Sequence, residues 1–145
     1  MKKFKLFMFA LAVIFGIQLA ALPTNASAST STTTTPKALR GTWFEYRGQG
    51  KLNIIKITKH SFTTNGKTYS PSRKGDRKLQ VSKWGSWYLF NKSKSAKKDL
   101  GQYKTTKKLI HGSYKKVLVK YHGIGSYHVF PSHKYQHKYS YKVLN

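Results

Sequence analysis

Four histidines crowd the stretch HGIGSYHVFPSHKYQH: His122, His128, His133 and His137. Imidazoles at this density raise zinc chemistry first, and zinc needs three or four convergent ligands. The spacing argues against it. A turn at Gly123–Ser126 sets His122 opposite Tyr127 and Tyr121 opposite His128, and directly opposed residues share a face of the sheet. His122 and His128 are therefore expected on opposite faces. His133 and His137, four apart on an extended strand, stand about 13 Å from each other. The expectation is no metal site and no cofactor, with the histidines as amphipathic strand residues that gain positive charge in acid.

Carboxylate chemistry is equally constrained. Glu45, Asp76 and Asp99 are the chain's three acidic residues, whereas glycoside hydrolysis usually flanks its bond with two carboxylates. Asp76 sits in SRKGDRK among Arg73, Lys74, Arg77 and Lys78, and Asp99 follows Lys97 and Lys98. Both read as local charge partners. Glu45 alternates with Trp43 and Arg47 on one strand face and reads as the structural partner of a basic neighbour. There is no cysteine, which excludes thiolate chemistry and disulfides. The serines fall in turns and linkers without a nucleophile elbow, and Gly-rich phosphate loops of the recognised spacings are absent. A non-enzymatic protein is expected.

The basic surface is the strongest feature. Lys+Arg number 28 against three acids, a formal charge of +25, which strains a compact state by self-repulsion and favours an anionic partner. The clusters are Arg73, Lys74, Arg77 and Lys78; Lys92, Lys94, Lys97 and Lys98; Lys104, Lys107 and Lys108; and Lys115 and Lys116. Lysine outnumbers arginine 24 to 4. Lysine is a mobile point charge, and arginine the planar fork of base-specific readout. That ratio favours diffuse attraction to a polyanion. Trp84, Trp87, Tyr88 and Phe90 in KWGSWYLF have the faces to stack on bases or sugars, but most of them are expected in the core.

The elements that carry these residues follow from the pattern. MKKFK, an uncharged apolar run and Ala26-Ser27-Ala28 have the order of a secretory signal peptide helix, cut after Ala28. The rival is a retained anchor, for which the apolar run is short against the roughly 20 residues of a span. Cleavage removes Lys2, Lys3 and Lys5 and lowers the charge from +25 to +22. Residues 29–37, STSTTTTPK, read as a solvated linker, and 38–145 as one domain. Within it the period is two. YQHKYSYKV sets Tyr135, His137, Tyr139, Tyr141 and Val143 on one face, and KVLVKYH alternates likewise. KLNIIKIT changes phase at Ile54-Ile55, which predicts a bulge or a strand buried on both faces. Asn65-Gly66 is a hairpin turn signal, and 91–101 reads as a charged loop. About seven to nine short strands without helices predict an all-β fold, a small antiparallel meander barrel (lipocalin-like or SH3-like) or a sandwich.

The stretch PKALRGTWFEYRGQGKLNIIKITKHSF, together with the lysine- and tyrosine-rich tail, resembles small secreted basic proteins of lactic-acid bacteria. Their shared mark is a Leu-Arg-Gly-Thr-Trp opening, here Leu39 to Trp43. The resemblance covers about two-thirds of the mature chain and implies export and a β-rich domain, with no activity attached. Exported basic proteins of such organisms often lie on walls whose teichoic acids are polyphosphates. Gly41-x-Trp43 is also similar to the start of lipocalin-type barrels, in which the Trp plugs the barrel floor, often beneath a late basic residue. A filled small barrel is expected ahead of a hollow one. The functional expectation is a secreted bacterial protein, extracellular or on the cell wall, that binds anionic envelope polymer such as teichoic acid or an anionic lipid surface. Extracellular nucleic acid is a further, non-specific polyanion. The alternative is a lipocalin-like carrier of a small apolar ligand.

Overall fold

The computed structural model describes residues 33–92 and 99–143. The leader with Ala26 and Ala28, the start of the Ser/Thr tract, and Lys94, Lys97 and Lys98 lie outside the described residues. A 3-10 turn at Lys37–Leu39 leads into β1 (Gly41–Gly48), β2 (Lys51–Thr58), β3 (Ser61–Thr64) and β4 (Lys67–Tyr69). A second 3-10 turn, Gly75–Arg77, precedes β5 (Gln80–Trp84), β6 (Trp87–Asn91), β7 (Asp99–Ile110), β8 (Ser113–Gly123), β9 (Ser126–Pro131) and β10 (Tyr141–Lys142). The fold is all-β.

The strands form two antiparallel meanders, ordered β1-β2-β3-β4 and β10-β9-β8-β7-β6-β5. The ladders do not close into a barrel. β1 packs beside β9 of the other sheet without a ladder between them, and a single parallel bridge, Ser70 to Lys78, ties the sheets where the chain crosses over. The barrel expectation rested on removing unpaired edges by closure. Here each sheet keeps its edges, and the two are joined by a shared core instead.

That core takes Leu39, Trp43, Ile55, Ile57, Phe62 and Tyr69 from one side and Leu79, Val81, Phe90, Tyr103, Leu118 and Phe130 from the other. Period-two alternation aims these side chains at the facing sheet. A second cluster, Ile110, Val117, Val119 and Val129, lies on the outer face of the larger sheet, where Trp87, Tyr127, Tyr135 and Tyr139 pack against it.

Three local expectations are corrected. β2 has no bulge at Ile54-Ile55: its pairing with β1 runs unbroken from Gly41–Ile57 to Tyr46–Leu52, and the irregularity lies at the far end, between Tyr46 and Gly48. β2 alternates simply, with Ile55 and Ile57 buried and Ile54 exposed. YQHKYSYKV is not one strand, since only Tyr141 and Lys142 pair, with Tyr127 and Ser126. Its tyrosines instead lie across the outer valine cluster. Finally, Thr35, placed in the solvated linker by composition, is buried. Its N–H donates to the Lys59 carbonyl at 2.8 Å and its hydroxyl to that of Thr58.

Asn65-Gly66 does form the β3–β4 turn, with φ of 48° and 70°. At the β8–β9 turn, Gly125 has φ of 66°, and an added Cβ would lie 2.8 Å from the Val143 carbonyl oxygen. The Val143 N–H donates to the Gly125 carbonyl at 2.5 Å, so this glycine is the dock for the C-terminal strand. Gly125→Ala is expected to cost about 1–2 kcal/mol, from its positive φ and the displaced strand. Faster amide exchange at Tyr141 and Val143, with the β1–β2 amides unchanged, is the measurement that checks it.

Candidate functional site

The most organised polar site is centred on Glu45, which is 1% exposed. The alternation of β1 puts Trp43 and Glu45 on the inward face and lets Arg47 emerge at the end of the strand. The Ser140 hydroxyl donates to Oε1 at 2.6 Å, and Nδ1 of His128 donates to the same oxygen at 2.5 Å. Oε2 accepts from the Asn53 amide at 3.2 Å and lies 3.5 Å from Nη1 of Arg47. Burial pushes this carboxyl up, but the hydrogen bonds from Ser140, His128 and Asn53 and the charge on His128 outweigh it. The net result holds Glu45 below the usual carboxylate range. An ionised carboxylate accepts only, so His128 presents Nδ1–H to it and keeps Nε2 for other partners.

His122 lies against His128, with ring centroids 4.6 Å apart and the planes nearly perpendicular. This overturns the expectation of opposite faces. The observed register pairs Tyr121 with Tyr127 and Lys120 with His128, and a register shift between Tyr121 and Gly123 absorbs His122. A one-residue slip moves every side chain to the other face, so His122, two residues on from Lys120, joins His128. His133 and His137 lie outside any strand, so the strand-rise distance between them does not apply; their rings neighbour Tyr135 and Tyr139 respectively. Among the described residues, no three His, Asp or Glu side chains converge as metal ligands.

His122 and His128 border a cleft of about 620 Å³ between the sheets. One wall carries Arg47, Asn53 and Asn65, and the other Lys120, His122 and His128. Lys120 lies across Gly101, whose missing side chain makes room: a Cβ there would be 2.8 Å from Cε of Lys120 and 2.9 Å from the Tyr103 hydroxyl. That hydroxyl donates to the Leu100 carbonyl at 2.8 Å. Burial, and then the charge of Asp99, push the Tyr103 phenol well up, so it stays a neutral donor. Sequence reading missed Lys120 and Arg47 as site residues and valued Glu45 only for a basic neighbour. The one available signal was a carboxylate on the apolar face of a strand.

Among the described residues, the basic side chains singled out from sequence occupy two regions. Arg73, Lys74, Arg77 and Lys78 lie on the crossover between the sheets, and the fold brings Lys92 to them. Arg77 and Lys92 stand 5.6 Å and 6.0 Å from the Tyr69 ring. The second region is the β7–β8 hairpin. Lys107 faces Lys116 directly, and Lys108 faces Lys115. Alternation puts the first pair on one face of the sheet and the second pair, with Lys104, on the other. Lys104 and Lys108 stand over Trp87 and Tyr141, at 4.4 Å and 4.5 Å. Asp99 accepts the Gly101 N–H at 2.5 Å.

Of the four aromatics weighed for stacking, Phe90 is fully buried and Tyr88 packs against the same core. Trp87 lies on the outer face, stacked on Tyr127 with centroids 6.2 Å apart, and Trp84 is 69% exposed. The Trp43 indole donates to the Leu39 carbonyl at 2.9 Å, and the Lys116 ammonium lies 6.0 Å from its ring. Around it the space between the sheets is filled by Phe62, Phe90, Tyr103 and Phe130. No family model matches the chain, and no curated protein and no solved structure matches it.

Proposed function

We propose that the chain is an exported, non-enzymatic β-domain protein that adheres to anionic polymer of the cell envelope, such as teichoic acid. The observation that carries this reading is the placement of lysine directly opposite lysine, Lys107 to Lys116 and Lys108 to Lys115, in a chain of formal charge +25. Directly opposed like charges cost stability. A surface tuned for solubility alone would use Asp and Glu with better effect. An anionic chain laid along the hairpin relieves the repulsion on the face it covers and releases its own counterions.

The test is retention of the purified protein on wall fragments with and without teichoic acid. Retention is expected to need the polyphosphate and to fall by roughly a thousandfold between 50 and 200 mM salt, as counterion release dictates. The variant carrying Lys107→Gln, Lys108→Gln, Lys115→Gln and Lys116→Gln is expected to bind weakly and to unfold no more easily than the parent. Equal retention on stripped walls at high salt would overturn the reading.

A further inference from the structure

We propose that the cleft between the two sheets is a discrete site for a phosphate ester, a phosphorylated polyol or sugar unit held by Arg47, Lys120, His122 and His128. The inference rests on the polyanion reading, because it supplies a pocket for one repeating unit of such a polymer. It uses different residues from the hairpin, so the failure of one can be told from the failure of the other.

The first argument is charge. The carboxylate beneath the cleft is Glu45, already supplied with donors by Ser140, His128 and Asn53. Arg47 is about half exposed and meets that carboxylate through one nitrogen at 3.5 Å, which leaves the rest of its fork to the cleft. Lys120, directly opposite His128 in the ladder, brings a second fixed positive charge. Asp99, on an adjoining groove of about 340 Å³ that shares Lys120 and His122, is the other acid nearby. It spends one oxygen on the Gly101 N–H. Cations on both walls repel a metal ion, and Nδ1 of His128 is committed to Glu45. The same walls suit an anion that accepts several charge-assisted hydrogen bonds.

The second argument is size. About 620 Å³ far exceeds one bare phosphate and lies within the range of small-molecule pockets. The Asn53 and Asn65 side chains on the opposite wall offer amide partners for hydroxyls, as a polyol or sugar requires. The third argument is preorganisation. The Glu45 carboxylate fixes one tautomer of His128 and so aims Nε2 away from itself. His122, packed edge-on against that ring at 4.6 Å, limits its swing.

The experiment titrates the full-length protein with glycerol 1-phosphate, and separately with glycerol, at about 0.15 M salt. Calorimetry gives stoichiometry and affinity, and the imidazole resonances of His122 and His128 report the place. One saturable site is expected, with both rings shifting and with no response to glycerol. Lys120→Gln and Arg47→Gln, on half-buried or more exposed side chains, are each expected to weaken binding about tenfold, the loss of one charge-assisted contact. The four-lysine hairpin variant is expected to bind as the parent does. Absence of saturable shifts at either ring would overturn the site, and so would a hairpin variant as weak as Lys120→Gln. Failure of the parent protein to prefer walls that carry teichoic acid, with its pocket titration intact, would sink the polymer reading alone.

Discussion

Glu45→Ala lowers the unfolding free energy by about 3–5 kcal/mol, because removing one partner of a buried charged pair strands the others. Three donors converge on that carboxylate within hydrogen-bonding distance: Ser140, His128 and Asn53. Alanine leaves the Ser140 hydroxyl, the Asn53 amide and the largely buried His128 ring without that acceptor. For a domain of this size the midpoint falls by roughly 15 °C or more. Glu45→Gln keeps the volume and loses the charge, so its cost is smaller, roughly 1.5–3 kcal/mol for hydrogen bonds to a charged group. The sign of the pH dependence follows from the lowered carboxyl. Its ordinary value is 4.5, and the folded protein holds it below that. Its stabilising contribution is therefore complete above about 4.5 and is lost as pH falls from there through the depressed folded value. Urea midpoints measured across that window should decline in the parent more steeply than in Glu45→Gln. Parallel curves would show that the carboxylate is not ionised in the native state.

Phe62→Ala is expected to cost about 3–5 kcal/mol, as for other buried Phe truncations. Phe62 is 0% exposed and comes from the smaller sheet. Its ring meets Phe90 edge-on at 4.9 Å and Tyr103 at 5.5 Å, both from the larger sheet, and Tyr69 at 6.3 Å. Aromatic pairs of this kind add about 0.5–1.5 kcal/mol beyond burial. Because the ladders do not close, side-chain packing joins the sheets alongside the Glu45 hydrogen bonds to His128 and Ser140, and this ring meets both sides of the packing. Trp84→Ala is the control: an equally large truncation at a 69% exposed position, expected within about 0.5 kcal/mol of the parent. Urea denaturation of both decides it. A Phe62→Ala cost under about 1 kcal/mol would mean that the two sheets are stable apart.

Strand content was legible in the sequence because alternation and turn chemistry are local. Asn65-Gly66 and the glycines around Ile124 marked real turns, and Trp43 and Glu45 do share a face of β1 as alternation predicts. The site was not legible, because its partners are far apart: 83 residues separate Glu45 from His128, and 95 separate it from Ser140. Bringing His122 beside His128 depended on one shifted residue in the β8–β9 register, which no spacing rule announces. Tyr135 and Tyr139 illustrate a different failure. Their alternation resembles a strand, but their rings cover the outer valine cluster without pairing. Barrel or open sheets is a choice made by side-chain volume between layers, and alternation says nothing of volume.

The bond from Ser140 to Glu45 has a bearing on how the chain is made. A polypeptide that emerges amino end first presents its first strand early, with an acid on the face meant to be dry. That acid gains its hydroxyl donor only once residue 140 has followed. Until then it has the Asn53 amide from the neighbouring strand, and later His128, to satisfy it. A chain cut short of residue 140 therefore leaves that carboxylate without one of its three donors within 3.2 Å.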